Sequence, residues 1–350
     1  MPVIEKAELE GFVGDVFRSA GYASEEAGLI SRLMVAANLC GHDSHGVRQI
    51  PTYLKRIGEK QIVPNAPITV LRESPTTVLL DANRALGHVA AARALEMGVA
   101  KAREVKVSVA AVRNLNHIGR VGAYPEMAAE QGMICLAFVQ GHIRSVAPFG
   151  GLDKKLATNP FSAAFPNPGG APILLDFASS VVAANKIHQA YERGVETGEG
   201  WIMDERGNPV RDPALFVEGK AAMLPLGGGR GHKGYALSVV TDIIAGVLSG
   251  AGAAHTEREI ANNSTLLITL DPEAFLPRKE YERQVGELVD YLRATATRPG
   301  DPPVMIPGEF EENHRREREA HGIPIEEPVW NHIQEAVAEL QVALPVPRSA

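Results

Sequence analysis

Only two cysteines, Cys40 and Cys135, occur in 350 residues, and both sit in apolar runs. Two are too few for a disulfide framework, and no Cys-x-x-Cys or zinc-ribbon spacing is present, so a reducing cytoplasm is the expected compartment. A basic excess is missing as well: 35 Lys and Arg face 42 Asp and Glu, a formal net charge of −7. Without an overall positive field, neither nucleic acid nor a membrane is expected as a partner. The N-terminal stretch carries Glu5, Lys6, Glu8, Glu10, Asp15 and Arg18 where a signal peptide needs an apolar core. The most apolar stretch, 235–251, is interrupted by Ser238, Thr241 and Asp242. It falls short of the roughly 20 apolar residues of a membrane span and reads as a buried helix. No internal repeat is visible, and a small molecule is the expected partner.

What is present is ordinary globular usage, 45% hydrophobic and 22% charged, over a length that allows about two domains. Leu9, Phe12, Val13, Val16 and Phe17 share a helical face that Gly21 ends. Ser24 is a candidate N-cap for a second helix, with Leu29, Ile30, Leu33 and Met34 inward. Helical spacing returns near the other end at Val285, Leu288, Val289 and Leu292, then at Ile333, Val337 and Leu340. Between the ends, β-like runs at 77–80, 107–112, 134–139, 173–175 and 266–270 alternate with helical patterns at 86–105 and 121–131. This alternation predicts an α/β core, placed at 76–275, beside a helical domain built from both chain termini, 1–75 and 276–350. Pro and Gly cluster at 166–172, 226–234 and 298–308, which read as loops.

Three segments are dense in chemistry. Gly229-Arg230-Gly231-His232-Lys233-Gly234 matches the dinucleotide fingerprint G-x-G-x-x-G in letters only. The run before it is short and contains Pro225, and no acid closes a second strand about 20 residues on, so a Rossmann turn is rejected. A phosphate held by backbone N–H groups and Lys233 remains open. Gly41-His42-Asp43-Ser44-His45-Gly46 lacks the strand and spacing of a hydrolase elbow, and His42 and His45 lack the third and fourth ligands of a metal site. Capping by Asp43 or Ser44 is the plain reading. Asn116-His117-Ile118-Gly119-Arg120-Val121-Gly122 follows a predicted strand and opens a helix, where α/β sheets place ligands. An imidazole there can exchange a proton with a hydroxyl or carbonyl.

Together with 147–151, 157–160, 174–180, 232–235 and 306–309, these segments resemble the type-2 malate/L-lactate dehydrogenase family, whose fold is not Rossmann. Within it, 37–46, 315–318 and 322–324 look most like the hydroxycarboxylate dehydrogenase branch. The resemblance implies a homodimer that reduces 2-oxo acids to 2-hydroxy acids reversibly with NAD ahead of NADP. It puts proton exchange on His117, with Ser44 and Asp176 beside it. Cofactor contacts are implied at His45, Gly119, Arg120, Val121, Leu174, Leu175, Asp176, Phe177, Ala178, His232, Asn263, Gly308, Glu309, Phe310 and Glu311. Asp176 is either a cofactor contact or the group that orients an imidazole. Many members carry Arg five residues after the motif serine, where this chain has Gln49. The substrate carboxylate is therefore expected at Arg48 or Arg144, with Arg120 and Lys186 as further cations. The substitution leaves room for a 2-oxo acid bulkier than that of lactate. An imine reductase using the same apparatus and a non-catalytic binding protein are the alternatives.

Overall fold

The computed structural model describes residues 1–257 and 262–347. The helices are α1 (Lys6–Ser19), α2 (Ser24–Leu39), α3 (Ile50–Gly58), α4 (Gly87–Val105), α5 (Ala123–Ala129), α6 (Ala184–Glu192), α7 (Pro213–Val217), α8 (His232–Thr241), α9 (Arg278–Arg293), α10 (Glu309–His321) and α11 (Glu327–Val337). The strands are β1 (Val3–Ile4), β2 (Thr69–Glu73), β3 (Thr77–Asp81), β4 (Val107–Leu115), β5 (Ile134–Gln140), β6 (Phe161–Phe165), β7 (Ile173–Phe177), β8 (Ile202–Asp204), β9 (Pro209–Val210), β10 (Ala221–Met223), β11 (Asn263–Leu270) and β12 (Ile323–Pro324).

Seven strands form one sheet in the order β2-β3-β4-β11-β5-β6-β7. Only β3 and β4 pair in parallel, joined by the crossover helix α4; the other pairs are antiparallel. All five predicted strand runs fall within it. β6, built on Phe161-Ser-Ala-Ala-Phe165, has no β-branched residue to announce it. One face is covered by α4 and α5 through small side chains, including Ala90, Ala91, Ala94, Ala128 and Ala137. Alanine lets helix and sheet approach closely. Gly98 continues the packing, since a Cβ there would lie 3.2 Å from Ser108 Oγ.

The two chain ends meet. β1 pairs antiparallel with β12, and Phe12, Phe17, Ile30 and Met34 share one buried cluster with Ile323, Trp330, Ile333 and Val337. Leu86, just before α4, and Val89 within it join that cluster, so it runs on into the sheet layer. α9 stands apart: its one buried residue is Val289, and Tyr281 Oη donates to the Pro166 carbonyl. Ser24 is the first helical residue rather than a cap. Ala23 precedes it in extended conformation, and the Ala23 N–H donates to Asn65 Oδ1 at 2.8 Å.

The expectation of a buried helix at 235–251 needs correction. α8 continues into a π-helical turn, Asp242–Val247. Ala245 packs on Ala111, Phe138 and Leu266 of the other sheet face. Val240, Ile243, Val247 and Leu248 point away and are 44–63% exposed. The covered side carries the polar Ser238, Thr241 and Asp242 as well as Ala245, while the uncovered side is apolar.

Candidate active site

β4 ends at Leu115, and the next residues hang from the chain that enters α4. Asn116 N–H donates to Ala85 O and Gly87 N–H to His117 O. A side chain at Gly87 would collide with Asn116 O at 2.4 Å. His117 Nδ1 lies 2.5 Å from Tyr53 Oη and accepts the Gly119 N–H at 3.4 Å. Because an amide N–H can only donate, Nδ1 is an acceptor and the neutral ring carries its proton on Nε2. Burial, then the charges of His45, His88, Arg56 and His142, hold His117 well below the ordinary imidazole range. His45 is pushed down to about 4 by burial and by His42, Arg120 and Lys186. The buried His88 goes down to about 3, chiefly through burial.

The loop after α2 presents a second imidazole. Ser44 Oγ is 2.8 Å from His45 Nδ1, and the rings of His45 and His117 stack 5.7 Å apart. Asn38 braces the loop by donating to Asp43 Oδ1 at 2.7 Å and accepting the Val47 N–H at 2.8 Å. A Cβ at Gly46 would sit 2.0 Å from Asn38 Oδ1, so only glycine fits. From α10, Arg318 grips both oxygens of Asp43, at 2.6 and 3.0 Å. His42 turns away from His45 to Glu311 Oε1, 3.1 Å off. Gln49 is buried and spends its amide on the Ser44 carbonyl at 2.7 Å.

His45, His117, His142 and Asn263 line a cavity of about 990 Å³, with Arg48, Arg56 and Arg144 in its wall. α6 contributes His188 and Glu192, and α11 contributes His332 and Glu335. His142 Nδ1 lies 2.9 Å from Asn263 Oδ1. Both predicted carboxylate cations reach the cavity, each already beside an acid: Arg48 Nη2 meets the Glu192 oxygens at 2.5 and 2.6 Å, and Arg144 Nη2 meets Glu257 at 2.9 Å. Lys186 is exposed, outside the cavity lining.

Most of the remaining predicted cofactor contacts lie next door. Asp176 Oδ2, at the end of β7, accepts the Gly122 N–H at 2.9 Å and lies 3.9 Å from Arg120 Nε. Its hydrogen bond thus fixes the 119–122 turn. Burial pushes the Asp176 carboxyl up, opposed by Arg120, His42 and the Gly122 amide. Arg120 is 4% exposed and donates through Nη1 to Glu126 at 2.8 Å, but its Nε and Nη2 have no hydrogen-bond partner among the described residues. Val121 is buried. Leu174 N–H donates to Pro307 O, which brings β7 against Gly308 in its left-handed conformation. Leu175 is exposed, Phe177 packs edge-on against Phe161, and Ala178 is half-buried. Glu309 accepts the Ile306 N–H at 2.7 Å and pairs with Arg293, and both hold its carboxyl below the usual range. Phe310 is half exposed against His314, and Glu311 holds His42. His232 is exposed at the start of α8, against Phe149. The Gly229–Gly234 segment follows β10 of the small antiparallel sheet β10-β8-β9, so no parallel strand feeds it.

Tyr53 and Arg56 belong to the site too, although no sequence pattern singles them out, and Asn116 of the His117 segment joins them. Tyr53 and Arg56 stand three residues apart on one face of α3. Asn116 Oδ1 accepts from Arg56 Nη1 at 2.7 Å and from the His117 N–H at 2.9 Å.

An imidazole at a strand end, in a cavity walled by arginines, can exchange a proton with a bound molecule and suits an anionic one. Residues 4–334 match the family model described as malate/L-lactate dehydrogenase. The chain is 35% identical over 341 residues, 95% of its length and 92% of the relative's, to hydroxycarboxylate dehydrogenase B of Escherichia coli strain K12. Among solved structures, malate dehydrogenase from Entamoeba histolytica superposes with a TM-score of 0.94 at 29% identity, over 98% of this chain and 99% of that one. The delta1-piperideine-2-carboxylate reductase of Pseudomonas syringae pvar. tomato superposes at 0.85 with 27% identity, over 96% and 100%. The chain belongs to the malate/L-lactate dehydrogenase family of hydroxy acid oxidoreductases.

Proposed function

We propose that this protein reduces 2-oxo acids to 2-hydroxy acids reversibly, using a nicotinamide cofactor, NAD ahead of NADP, on a substrate bulkier than that of lactate. The observation that carries this reading is the pair of contacts on His117 Nδ1, from Tyr53 and from Gly119 N–H, which leaves the exchangeable proton on Nε2. An imidazole presenting Nε2–H polarises a carbonyl oxygen and, once protonated, supplies the proton as the alcohol forms and returns to the neutral ring. The low pKa of the free ring has a cationic component from Arg56. A bound carboxylate offsets that field, so substrate entry raises the pKa of His117 and favours the protonated ring that serves as proton donor.

Family membership implies the nicotinamide, which when bound supplies or accepts the hydride at the carbonyl carbon. The residues that would hold it are His45, Asn263, the Gly119–Arg120–Val121 turn with Asp176, the β7 end from Leu174 to Ala178, and Gly308 to Glu311, with His232 from α8. The unpartnered Nε and Nη2 of buried Arg120 fit an anionic group such as a cofactor phosphate. Asp176 keeps the turn in shape by holding Gly122 N–H, and Ser44 fixes the His45 ring through Nδ1. In this reading 1–75 and 276–350 form a helical domain against the 76–275 core, in the cytoplasm. Two copies pair over the exposed Val240, Ile243, Val247 and Leu248. Among the described residues, no helix is long and apolar enough to cross a membrane.

The likeness to the piperideine-carboxylate reductase supports a second reading, reduction of a cyclic or N-alkyl imino acid. One panel separates the two. Loss of the reduced-nicotinamide absorbance is followed with 2-oxo acids of increasing side-chain size, with and without an amine, and with NADH or NADPH. Turnover on 2-oxo acids without amine supports the first reading; turnover only when amine is present supports the second. No turnover with either would mean a binding protein.

A further inference from the structure

We propose that Arg56 is the cation that binds the substrate carboxylate, a refinement that rests on the 2-oxo acid reading above. Three arginines line the cavity, Arg48, Arg56 and Arg144. Arg48 is neutralised by Glu192 and Arg144 by Glu257. Arg56 makes no ion pair among the described residues; its Nη1 is held by an amide oxygen, that of Asn116, at 2.7 Å. A carboxylate leaving water requires a positive charge that is not already cancelled, and a neutral amide leaves the full charge on the guanidinium.

Geometry favours the same residue. Asn116 Oδ1 accepts from Arg56 Nη1 and from the backbone N–H of His117, so one atom fixes the guanidinium relative to the reacting imidazole. A 2-oxo acid has its carboxylate bonded directly to the carbonyl carbon, so the two protein groups must be held in register with each other. Arg56 Nε and Nη2 remain to meet a carboxylate as a fork. α3 carries both partners of His117's surroundings: Tyr53 sets Nδ1, and Arg56, one turn on, supplies the charge whose field reaches both His117 and Tyr53. Gln49, where many family members have arginine, stands seven residues before Arg56, two helical turns away, with its amide committed to Ser44 O. The missing charge is thus restored from further along the same segment.

The test compares each 2-oxo acid with its neutral 2-oxo amide, which keeps the carbonyl and removes the charge. Arg56→Gln retains a donor for Asn116 and loses only the cation. It should lower kcat/KM for the acid by about 10- to 100-fold, mainly through KM, and for the amide by less than about threefold. Arg56→Lys should recover part of the acid activity, and Arg48→Ala and Arg144→Ala should each cost less than about threefold on either substrate. Equal losses on acid and amide in Arg56→Gln would overturn the proposal and leave Arg56 a brace for Asn116. An acid-specific loss confined to Arg48→Ala or Arg144→Ala would overturn it as well. The broader reading fails on different data, wild-type turnover in His117→Ala, whatever the Arg56 variants do.

Discussion

Tyr53→Phe removes one atom, the hydroxyl 2.5 Å from His117 Nδ1, and keeps a ring that is fully buried against Phe17 and His88. The remaining contact on Nδ1 is the long Gly119 N–H bond of 3.4 Å. A buried neutral hydrogen bond of this kind is worth about 1–2 kcal/mol once the orphaned partner is counted. If that energy selects the Nε2–H tautomer and fixes the ring plane, its loss lowers kcat by about 5- to 30-fold, at about 1.4 kcal/mol per factor of ten. KM for the cofactor should move less than twofold, because the Tyr53 hydroxyl bonds His117 and not the side chains proposed to hold the cofactor. The assay is steady-state oxidation of reduced nicotinamide by a 2-oxo acid at saturating substrate, with the melting temperature recorded beside it. Unchanged kcat in a variant that folds normally would refute the idea that Tyr53 orients the imidazole. An equal fall in kcat and in cofactor affinity would point instead to general damage.

Gly122→Ala puts a Cβ 2.6 Å from Asp176 Oδ2; cofactor affinity in a binding titration should fall at least tenfold, with 2-oxo acid specificity unchanged. Three imidazoles, His45, His88 and His117, have folded pKa values below 6.5. The unfolded chain therefore binds more protons below that pH, so stability is complete above about pH 6.5 and is lost as pH falls toward 4. The urea midpoint should drop across that window, and His88→Met should flatten the drop by about one proton. Ile243→Asp with Leu248→Asp charges the uncovered face of the α8 and π-helical segment. Sedimentation should shift from two copies to one, and an unchanged mass would remove this face from the interface.

Patterns that repeat along the chain were legible before any coordinates. The apolar runs 107–112 and 266–270 fall within β4 and β11, which lie side by side in the interior of the sheet. Helices from the two chain ends share a cluster around Phe12 and Trp330, while α9, at 278–293, takes no part in it. β2, β6 and the small sheet were not legible: β2 is exposed along its whole length, β6 is rich in alanine, and β8 to β10 are too short to carry a period. His117 stood out because it follows a strong strand. Tyr53 and Arg56 did not, since their contacts with His117 and Asn116 span 60 or more residues of chain. The ion pairs of Arg48 and Arg144 were hidden for the same reason, because Glu192 lies 144 residues from Arg48 and Glu257 lies 113 from Arg144.

The most direct test of His117 as the proton-exchanging group is a comparison of wild type with His117→Ala under conditions that separate binding from chemistry. Quenching of protein fluorescence by the reduced nicotinamide reports binding, and a single turnover with a saturating 2-oxo acid reports the chemical step. With Nε2 as the proton source, binding of the cofactor stays within about threefold while the single-turnover rate falls by roughly 10²- to 10⁴-fold. A single-turnover rate within a few-fold of wild type, with the cofactor bound, would contradict that role and send the search for the proton donor to Ser44 and His45.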